Sequence, residues 1–399
     1  MPRTLPVSSL LAISIFSSGI ALGATVPYGA IVGVETIGLA PATYAGAVFA
    51  GSLLQVAASM LLGHLSDRAG DRRKLILFCA LFGIASASAN FFFRSKITFL
   101  ASVLALQPVA GAMNGQIYAY MRLFFTESLG EKGEVRLSSM RALLSLAWML
   151  APPLAGWLAA ERSVFDVYAL PLAGYGVVAL IFVGLEVTAS GRLASQQPKR
   201  AADAGPGRAI ALSGLVGMAG YVVIKMALEL HALTLPLALV NDFHGTTRDV
   251  GINAGICAGL EVPFMMLWAR LIGRLQRETL MAIAALIFAA YLVLLMMARG
   301  TMDVFALQVV SAIAISALVS IPIAYMQDLI RGRLGLSASL LDLSNVTARL
   351  LSASLFGVMA NGTEYLPLFE ASAAAVCLGA GLMFAAAEVG RRAAVRSAA

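Results

Sequence analysis

The sequence has few charged residues. Asp, Glu, Lys and Arg make up 12% of its 399 residues, whereas they make up about a quarter of a typical soluble domain. Hydrophobic residues make up 60%, and the mean hydropathy is +0.86. So much apolar surface cannot be buried in one water-soluble core. The composition therefore excludes a soluble protein and predicts that lipid surrounds the chain.

The chain also lacks the patterns that mark disulfide frameworks, metal sites and common catalytic centres. Its three cysteines, Cys79, Cys257 and Cys377, lie in apolar runs without a CxxC spacing, and we interpret them as small core hydrophobes. The sequence contains no Walker loop, no GxSxG and no HExxH. An enzyme, an ATP-driven pump and a metal site are therefore not expected, and neither is a cofactor.

Long apolar runs take the place of these missing motifs. A membrane-crossing helix needs roughly 20 mainly apolar residues. Twelve such runs are predicted as spans, at 7–33, 41–62, 75–93, 98–121, 138–160, 166–188, 209–238, 249–269, 279–298, 304–325, 337–360 and 366–388. The first contains SSGIALGA, with small residues at the spacing of a signal peptide, but the apolar run continues well past it. We therefore expect this run to be retained as a helix.

The basic residues lie in short clusters between the apolar runs. The net charge of +7 does not indicate a nucleic-acid partner, because these clusters form no continuous basic face. If both termini are cytoplasmic, 20 Lys and Arg lie in inner segments and 5 in outer loops. This is a strong positive-inside bias, and it predicts that orientation.

The stretch 189–208 separates six spans from six spans. It is polar, basic and rich in Gly, Ala and Pro, as flexible linkers are. RALLSLAWMLAPPLAG in the fifth span (141–156) and RLLSASLFGVMANG in the eleventh (349–362) share an Arg followed by Leu-Leu-Ser. We predict an N-terminal six-helix bundle at 1–188, a cytoplasmic linker and a C-terminal six-helix bundle at 209–399. Many secondary transporters contain such a repeat.

GHLSDRAGDRRK, at 63–74, follows the pattern GxxxDRxGxRR. It resembles the major facilitator superfamily, which has this pattern between helices two and three. GDRRKLILFC, RALLSLAWMLAPPLAG, AGLEVPF and MQDLIRGRLG resemble the bacterial sugar efflux transporter family, and together they extend the resemblance over both halves. The resemblance implies an all-α major facilitator fold of twelve helices. It also implies a proton-coupled exporter of sugars or glycoside-like compounds in the lipid bilayer of the bacterial inner membrane. We expect the protein to be a monomer.

In this superfamily the loop between helices two and three is a latch that favours the state closed to the cytoplasm. The residues assigned to this conformational gate are Gly63, Asp67, Arg68, Gly70, Arg72, Arg73, Arg141 and Asp328. Asp67 is expected to face a helix N-terminus, Gly63 to permit close helix approach, and Gly70 to permit a tight turn. The loop arginines are expected to pair with acids across the domain interface or with lipid phosphates. A solvated loop that only sets orientation is the alternative.

Charged side chains inside membrane spans are costly, so each is a functional candidate. Glu261 lies about halfway along the eighth span, where a carboxyl suits proton uptake and release; a structural role as partner of an arginine is the alternative. Asp342, Asn345 and Arg349 form a polar stripe along one face of the eleventh span. This stripe faces either a partner helix or an aqueous cavity.

Neutral polar and aromatic side chains suit the binding of sugars, because side-chain amides form hydrogen bonds with sugar hydroxyls and aromatic rings stack on the faces of the sugar ring. The candidates of this kind are Asn114, Gln116, Trp148 and Gln308. Hydrogen bonding between helices is the alternative role for each. In the seventh span Lys225 and Glu229 are four residues apart and are expected to neutralise each other. His231, close by, is interpreted as a structural residue near a helix end.

Three transport functions remain open from the sequence. They are sugar export in exchange for protons by alternating access, export of amphipathic drugs, and proton-coupled sugar import. Drug exporters more often carry an acid in spans one, two or four, and these spans contain none here. LAWMLAPPLAG resembles the exporter signature GxxxGPxxGG, although Ala147 and Ala151 replace two of its glycines. Sugar export is therefore the expected function.

Overall fold

The structure, a computed structural model, describes residues 7–69, 72–130, 132–187, 212–272, 274–330, 334–360 and 364–398. Within these ranges the chain is almost entirely helical and contains no β-sheet. One isolated bridge joins Ile272 and Leu275. The predicted linker at 189–208 lies outside the described residues, and its role stays a prediction.

Twelve long helices follow one another in the described ranges. They are α1 Val7–Gly23, α2 Pro41–Ala69, α3 Arg72–Ser88, α4 Lys96–Leu129, α5 Lys132–Glu161, α6 Ala169–Val187, α7 Leu212–Asn241, α8 Thr247–Ala269, α9 Arg277–Met296, α10 Thr301–Leu329, α11 Leu334–Met359 and α12 Leu366–Ala398. The α4 helix contains a π-helical segment at Ser102–Leu106. A second π-helical segment, Ala89–Phe93, extends α3.

Eleven helices of the described part are long and apolar enough to cross a membrane. The α11 helix is not one of them, although it occupies the place of the eleventh predicted span. Asp342, Asn345 and Arg349 lower its mean hydropathy, because their side chains are among the most polar on the helix. The polar stripe seen in the sequence therefore accounts for the one helix that this criterion omits.

The chain divides into two compact units. The first contains α1, α3 to α6, the part of α2 after residue 46, and Thr246–Gly255 at the start of α8. The second contains Ala40–Gly46 at the start of α2, the rest of α8, and α7 together with α9 to α12. The sequence did not predict that the first turns of α2 group with the second unit and the first turns of α8 with the first unit.

The two units repeat one pattern of helix contacts. In the first unit α1 packs on α5 and α6, α3 packs on α4 and α6, and α4 packs on α5. In the second unit α7 packs on α11 and α12, α9 packs on α10 and α12, and α10 packs on α11. Each contact recurs six helices later, so the predicted pair of pseudo-repeated six-helix halves is confirmed.

Glycines bring α6 close to α1 in the first unit and α12 close to α7 in the second. A Cβ at Gly174 of α6 would lie 2.6 Å from the carbonyl oxygen of Ser17 in α1. A Cβ at Gly379 of α12 would lie 2.5 Å from the side chain of Ile224 in α7. Such close approach is typical of helix packing in membranes, where apolar surface gains little by leaving lipid.

One part of the cysteine interpretation is wrong. Cys79 is buried and Cys257 is partly buried, but Cys377 is exposed on α12. An apolar helix in lipid does not have to bury every apolar side chain in protein, so position in an apolar run did not place Cys377 in the core.

Candidate functional site

Glu229 of α7 lies between two cations in the second unit. The Nζ atom of Lys225, one turn earlier on α7, is 2.7 Å from Glu229 Oε1. The Nε atom of Arg349, on α11, is 3.7 Å from the same oxygen. The side chains of Lys225 and Glu229 are 22% and 21% exposed, and that of Arg349 is 40% exposed. The group is therefore both paired and accessible.

The polar stripe of α11 meets a polar face of α7. Tyr221, two turns before Glu229 on α7, donates its hydroxyl to Asn345 Oδ1 over 3.0 Å. Asn345 and Arg349 are thus both tied to α7, whereas Asp342 is exposed. The sequence left open whether the stripe faces a helix or a cavity. In the structure two of its members face a helix.

The predicted pairing of Lys225 with Glu229 is present, but its second cation was missed. The sequence signal for that contact is the repeat between RALLSLAW in α5 and RLLSASLF in α11. In the structure α5 packs on α1, and α11 packs in the same way on α7. Arg349, the first residue of the repeated segment RLLSASLF, is therefore expected to reach α7. Which residue of α7 it reaches depends on the rotation of both helices.

Glu261, on α8, has a different environment. The thiol of Cys257, one turn earlier, donates to Glu261 Oε1 over 3.6 Å. In the described part of the chain no Lys or Arg pairs with this carboxyl, so the arginine partner considered as the alternative is not found there. The side chain is partly buried.

Gln308 and His231 belong to the core of the second unit. His231 Nε2 is 3.0 Å from the Tyr291 hydroxyl, and Gln308 Nε2 donates to the same hydroxyl over 3.3 Å. Gln308 is 1% exposed, so in this structure it ties α10 to α9 and has no surface for a sugar. His231 lies well inside α7, packed edge-to-face on Phe288, and not near a helix end.

Three of the predicted sugar-binding residues lie in the first unit. Gln116 on α4 is buried, and its Oε1 accepts from Arg72 Nη1 over 3.3 Å. Asn114, two residues earlier, is partly exposed, and no donor among the described residues reaches its buried Oδ1. Trp148 on α5 is partly buried. Asn114 and Trp148 therefore keep surface for a ligand, whereas Gln116 pairs with a loop arginine.

The structure corrects two expectations about the gate. Arg73 is 2% exposed and pairs with Glu186 of α6 at 3.1 Å, within one unit. A buried guanidinium must be paired, and this one is therefore not available to lipid phosphates or to acids of the other unit. A Cβ at Gly63 would meet no described atom within 4 Å, so no close helix approach occurs there in the described part.

The structure describes only some of the other predicted gate residues. Gly70 and the side chains of Asp67 and Arg68 lie outside what the structure describes. Asp328, at the end of α10, forms an ion pair with Arg277 at the start of α9. Arg141, on α5, is exposed.

The family follows from comparison with known proteins. Residues 11–219 match the model of the Major Facilitator Superfamily. The chain belongs to this superfamily. It is a multi-pass membrane transporter and not an enzyme, as the sequence predicted.

Curated relatives extend the match to nearly the whole chain. The putative sugar efflux transporter of Deinococcus radiodurans is 26% identical over 376 residues, which are 94% of this chain and 96% of the relative. Sugar efflux transporter A of Dickeya chrysanthemi is 30% identical, covering 84% and 85%. Sugar efflux transporter C of Escherichia coli is 29% identical, covering 81% and 82%. The resemblance to sugar efflux transporters is confirmed.

Solved structures share the fold. The crystal structure of the nucleoside transporter NupG matches with a TM-score of 0.76 and 14% identity, covering 96% of this chain and 99% of NupG. A bacterial homologue of the iron transporter ferroportin matches with a TM-score of 0.73 and 15% identity, covering 96% and 98%. At this identity the likeness shows the major facilitator fold alone.

Proposed function

We propose that the protein exports sugars or glycoside-like small molecules by alternating access, in exchange for protons. The observation that carries the proposal is the polar face shared by α7 and α11. Amide, guanidinium and carboxylate groups lie there partly exposed, beside the buried hydroxyl of Tyr221, within an otherwise apolar bundle. Such groups bind the hydroxyls of a sugar, and the names of the relatives support the same substrate class.

The proposed roles divide by chemistry. Carboxyls accept and release the proton, and Glu261 and Asp342 are the two assigned from the sequence. Amide, guanidinium and indole groups bind the sugar. The residues proposed for this role are Asn114, Trp148, Asn345 and Arg349.

We further propose the arrangement of the chain in the cell. The two bundles, 1–188 and 209–399, are joined by a cytoplasmic linker at 189–208. The protein lies in a bacterial inner membrane as a monomer, with both termini in the cytoplasm. The distribution of Lys and Arg supports this orientation.

Transport in everted membrane vesicles tests the proposal. The probes are labelled glucose, galactose, arabinose and lactose, with a proton gradient that makes the lumen acidic. The wild type is expected to accumulate at least one of these sugars, an ionophore is expected to abolish accumulation, and Glu261→Gln is expected to reduce it. Accumulation of a labelled lipophilic cation and of no sugar would instead indicate a drug exporter. Proton-driven uptake only by right-side-out vesicles would indicate an importer.

A further inference from the structure

A cavity of about 470 Å³ lies at one end of the second unit, where α9 begins and α10 ends. Residues near the end of α12 form its third wall. The distribution of Lys and Arg predicts that this side is cytoplasmic. We propose that the cavity binds a primary ammonium group, supplied either by the head group of a phosphatidylethanolamine lipid or by a free amine of the cytoplasm. The proposal goes beyond the transport function and does not depend on it.

The charges in the lining of the cavity leave one carboxylate without a cation. Arg277, the first residue of α9, donates to the carbonyl oxygen of Ala324 over 2.6 Å and forms an ion pair with Asp328. Glu278, the next residue, is half-buried, and among the described residues no ion pair or hydrogen bond holds its carboxylate. The start of α9 favours a negative charge but supplies no counter-ion. A positively charged ligand therefore gains free energy beside Glu278.

The arginines that follow the cavity wall on α12 are already paired. Gly390 is in the lining, and Arg391 and Arg392 come directly after it. Both arginines pair with Glu388 on their own helix, and their side chains are 68% and 73% exposed. Neither arginine is in the lining, which contains one guanidinium and two carboxylates. The wall of the cavity therefore carries a net negative charge.

The neutral polar groups of the lining are hydrogen-bond acceptors that suit an ammonium. Tyr325 of α10 is 2% exposed, and no donor or acceptor among the described residues reaches its buried hydroxyl. The charge of Glu278 acts on this phenol, so the two groups lie close together. Gln276, just before α9, adds an amide oxygen. A primary ammonium carries three N–H donors, and the carboxylate, the phenol and the amide offer an acceptor for each.

The rest of the lining is apolar and leaves room for the carbon atoms of a ligand. These residues are Ile272, Leu275, Leu329, Ala386 and Ala387. The volume lies within the range of small-molecule sites, roughly 300–1,000 Å³, and exceeds what an ammonium group alone requires. Ethanolamine, free or as the head group of a lipid, fits this combination. Choline is not expected to bind, because its quaternary ammonium has no N–H to donate.

Thermal unfolding of the delipidated protein in detergent tests the proposal. The probes are ethanolamine, choline, dihexanoyl-phosphatidylethanolamine and dihexanoyl-phosphatidylcholine, each titrated separately. A ligand that binds only the folded protein raises its melting temperature, and the titration gives the dissociation constant. The wild type is expected to respond to at least one of the two primary amines and to neither quaternary ammonium compound.

Two variants each remove one acceptor from the cavity. Glu278→Gln is expected to weaken amine binding about tenfold or more, because hydrogen bonds to charged groups are the stronger ones. Tyr325→Phe is expected to weaken binding by a smaller factor, and it carries the test if Glu278→Gln does not fold. The melting temperature without ligand shows whether each variant is folded. Glu370→Gln, an exposed acid near the other end of α12, is the matched control and is expected to respond as the wild type does.

The outcomes separate the two sources of the ammonium from failure of the proposal. A response to ethanolamine shows that a free amine is sufficient, and a response to phosphatidylethanolamine alone identifies the lipid head group. The inference is wrong if neither primary amine raises the melting temperature, or if the quaternary compounds raise it equally. It is also wrong if the folded acceptor variants bind the amine as tightly as the wild type. These measurements involve no sugar and no proton gradient, so their result leaves the proposed transport function untouched.

Discussion

At the scale of single residues, Asp242 shows how one carboxylate connects two helices. It follows the last residue of α7, outside the apolar span, and its Oδ2 accepts the backbone N–H of Tyr365 over 3.1 Å just before α12 begins. Burial raises the pKa of Asp242 above its usual value, and the negative charge of Glu364 raises it further, against the opposing effect of the backbone donors. The folded protein therefore binds this proton more tightly than the unfolded chain does.

The sign of the resulting pH dependence follows from the raised pKa. The stability that Asp242 contributes is full below the pKa of the unfolded chain, 3.8, and is lost as the pH rises through the higher folded value. Asp242→Asn keeps an acceptor for the Tyr365 N–H and cannot ionise. We expect its melting temperature, relative to wild type, to be higher at pH 7 than at pH 4. Thermal unfolding in detergent at both values measures this difference.

The control for this prediction removes the acceptor altogether. Asp242→Ala is expected to lower stability at both pH values, by about 0.5–2 kcal/mol, the usual effect of losing a helix cap. A melting temperature of Asp242→Asn that falls relative to wild type between pH 4 and pH 7 would contradict the assignment.

Residues also show where inference from the sequence reached its limit. The pair Lys225 and Glu229 was predicted, because a spacing of four brings side chains together on any helix. The contact of Arg349 with the same carboxyl was not, because it depends on how α11 is rotated toward α7. Gln308 was assigned to sugar for its chemistry, yet it lies in the core because its helix turns it toward Tyr291. Residue type fixes what a side chain can bind, and helix rotation fixes what it meets.

At the scale of elements, the start of α8 is packed on α5 through glycines. A Cβ at Gly251 would lie 2.2 Å from the carbonyl oxygen of Pro152. A Cβ at Gly255 would lie 2.5 Å from the ring of Pro153. The Tyr28 hydroxyl donates to Pro152 O over 3.0 Å at the same place. The backbone of α8 therefore contacts α5 directly, and a side chain at Gly251 or Gly255 has no room.

This packing predicts a position-specific effect of adding one methyl group. Gly251→Ala is expected to destabilise the protein by about 1–3 kcal/mol, because the new methyl overpacks against backbone that cannot easily give way. Gly176→Ala, on α6, is the matched control, since a Cβ there meets no described atom within 4 Å. Thermal unfolding of both variants in one detergent compares them. Equal melting temperatures would contradict the close packing of α8 on α5.

The positions of the membrane-spanning helices were predicted well from the sequence, but the π-helical segments within them were not. The eighth span was predicted at 249–269, and α8 is Thr247–Ala269. The π-helical segments at Ala89–Phe93 and Ser102–Leu106 were not predicted. Apolar runs end where polar loops begin, so composition marks the ends of a span. A π-helical turn depends instead on contacts with a neighbouring helix. Asn90 in the first segment, for example, donates to Ser102 Oγ in the second over 2.8 Å.

At the scale of the whole molecule, the orientation in the membrane is open to a direct test. The excess of Lys and Arg on one side predicts that both termini are cytoplasmic. A green fluorescent protein fused after Ala399 is expected to fluoresce, and alkaline phosphatase at the same place to be inactive. Alkaline phosphatase fused after Gly300, between α9 and α10, is expected to be active. The reverse pattern of activities would show the opposite orientation.

The amino-acid sequence was sufficient to establish the lipid environment, the transporter superfamily and the two six-helix halves. Each of these depends on composition, on the order of apolar runs along the chain, or on the motif at 63–74, and none depends on which way a helix is rotated. Tertiary packing determined the rest: it buried Arg73 against Glu186 and brought Arg349 to Glu229. The reason is geometric, because hydropathy places a helix in the bilayer, and only its neighbours fix the face that each polar side chain presents.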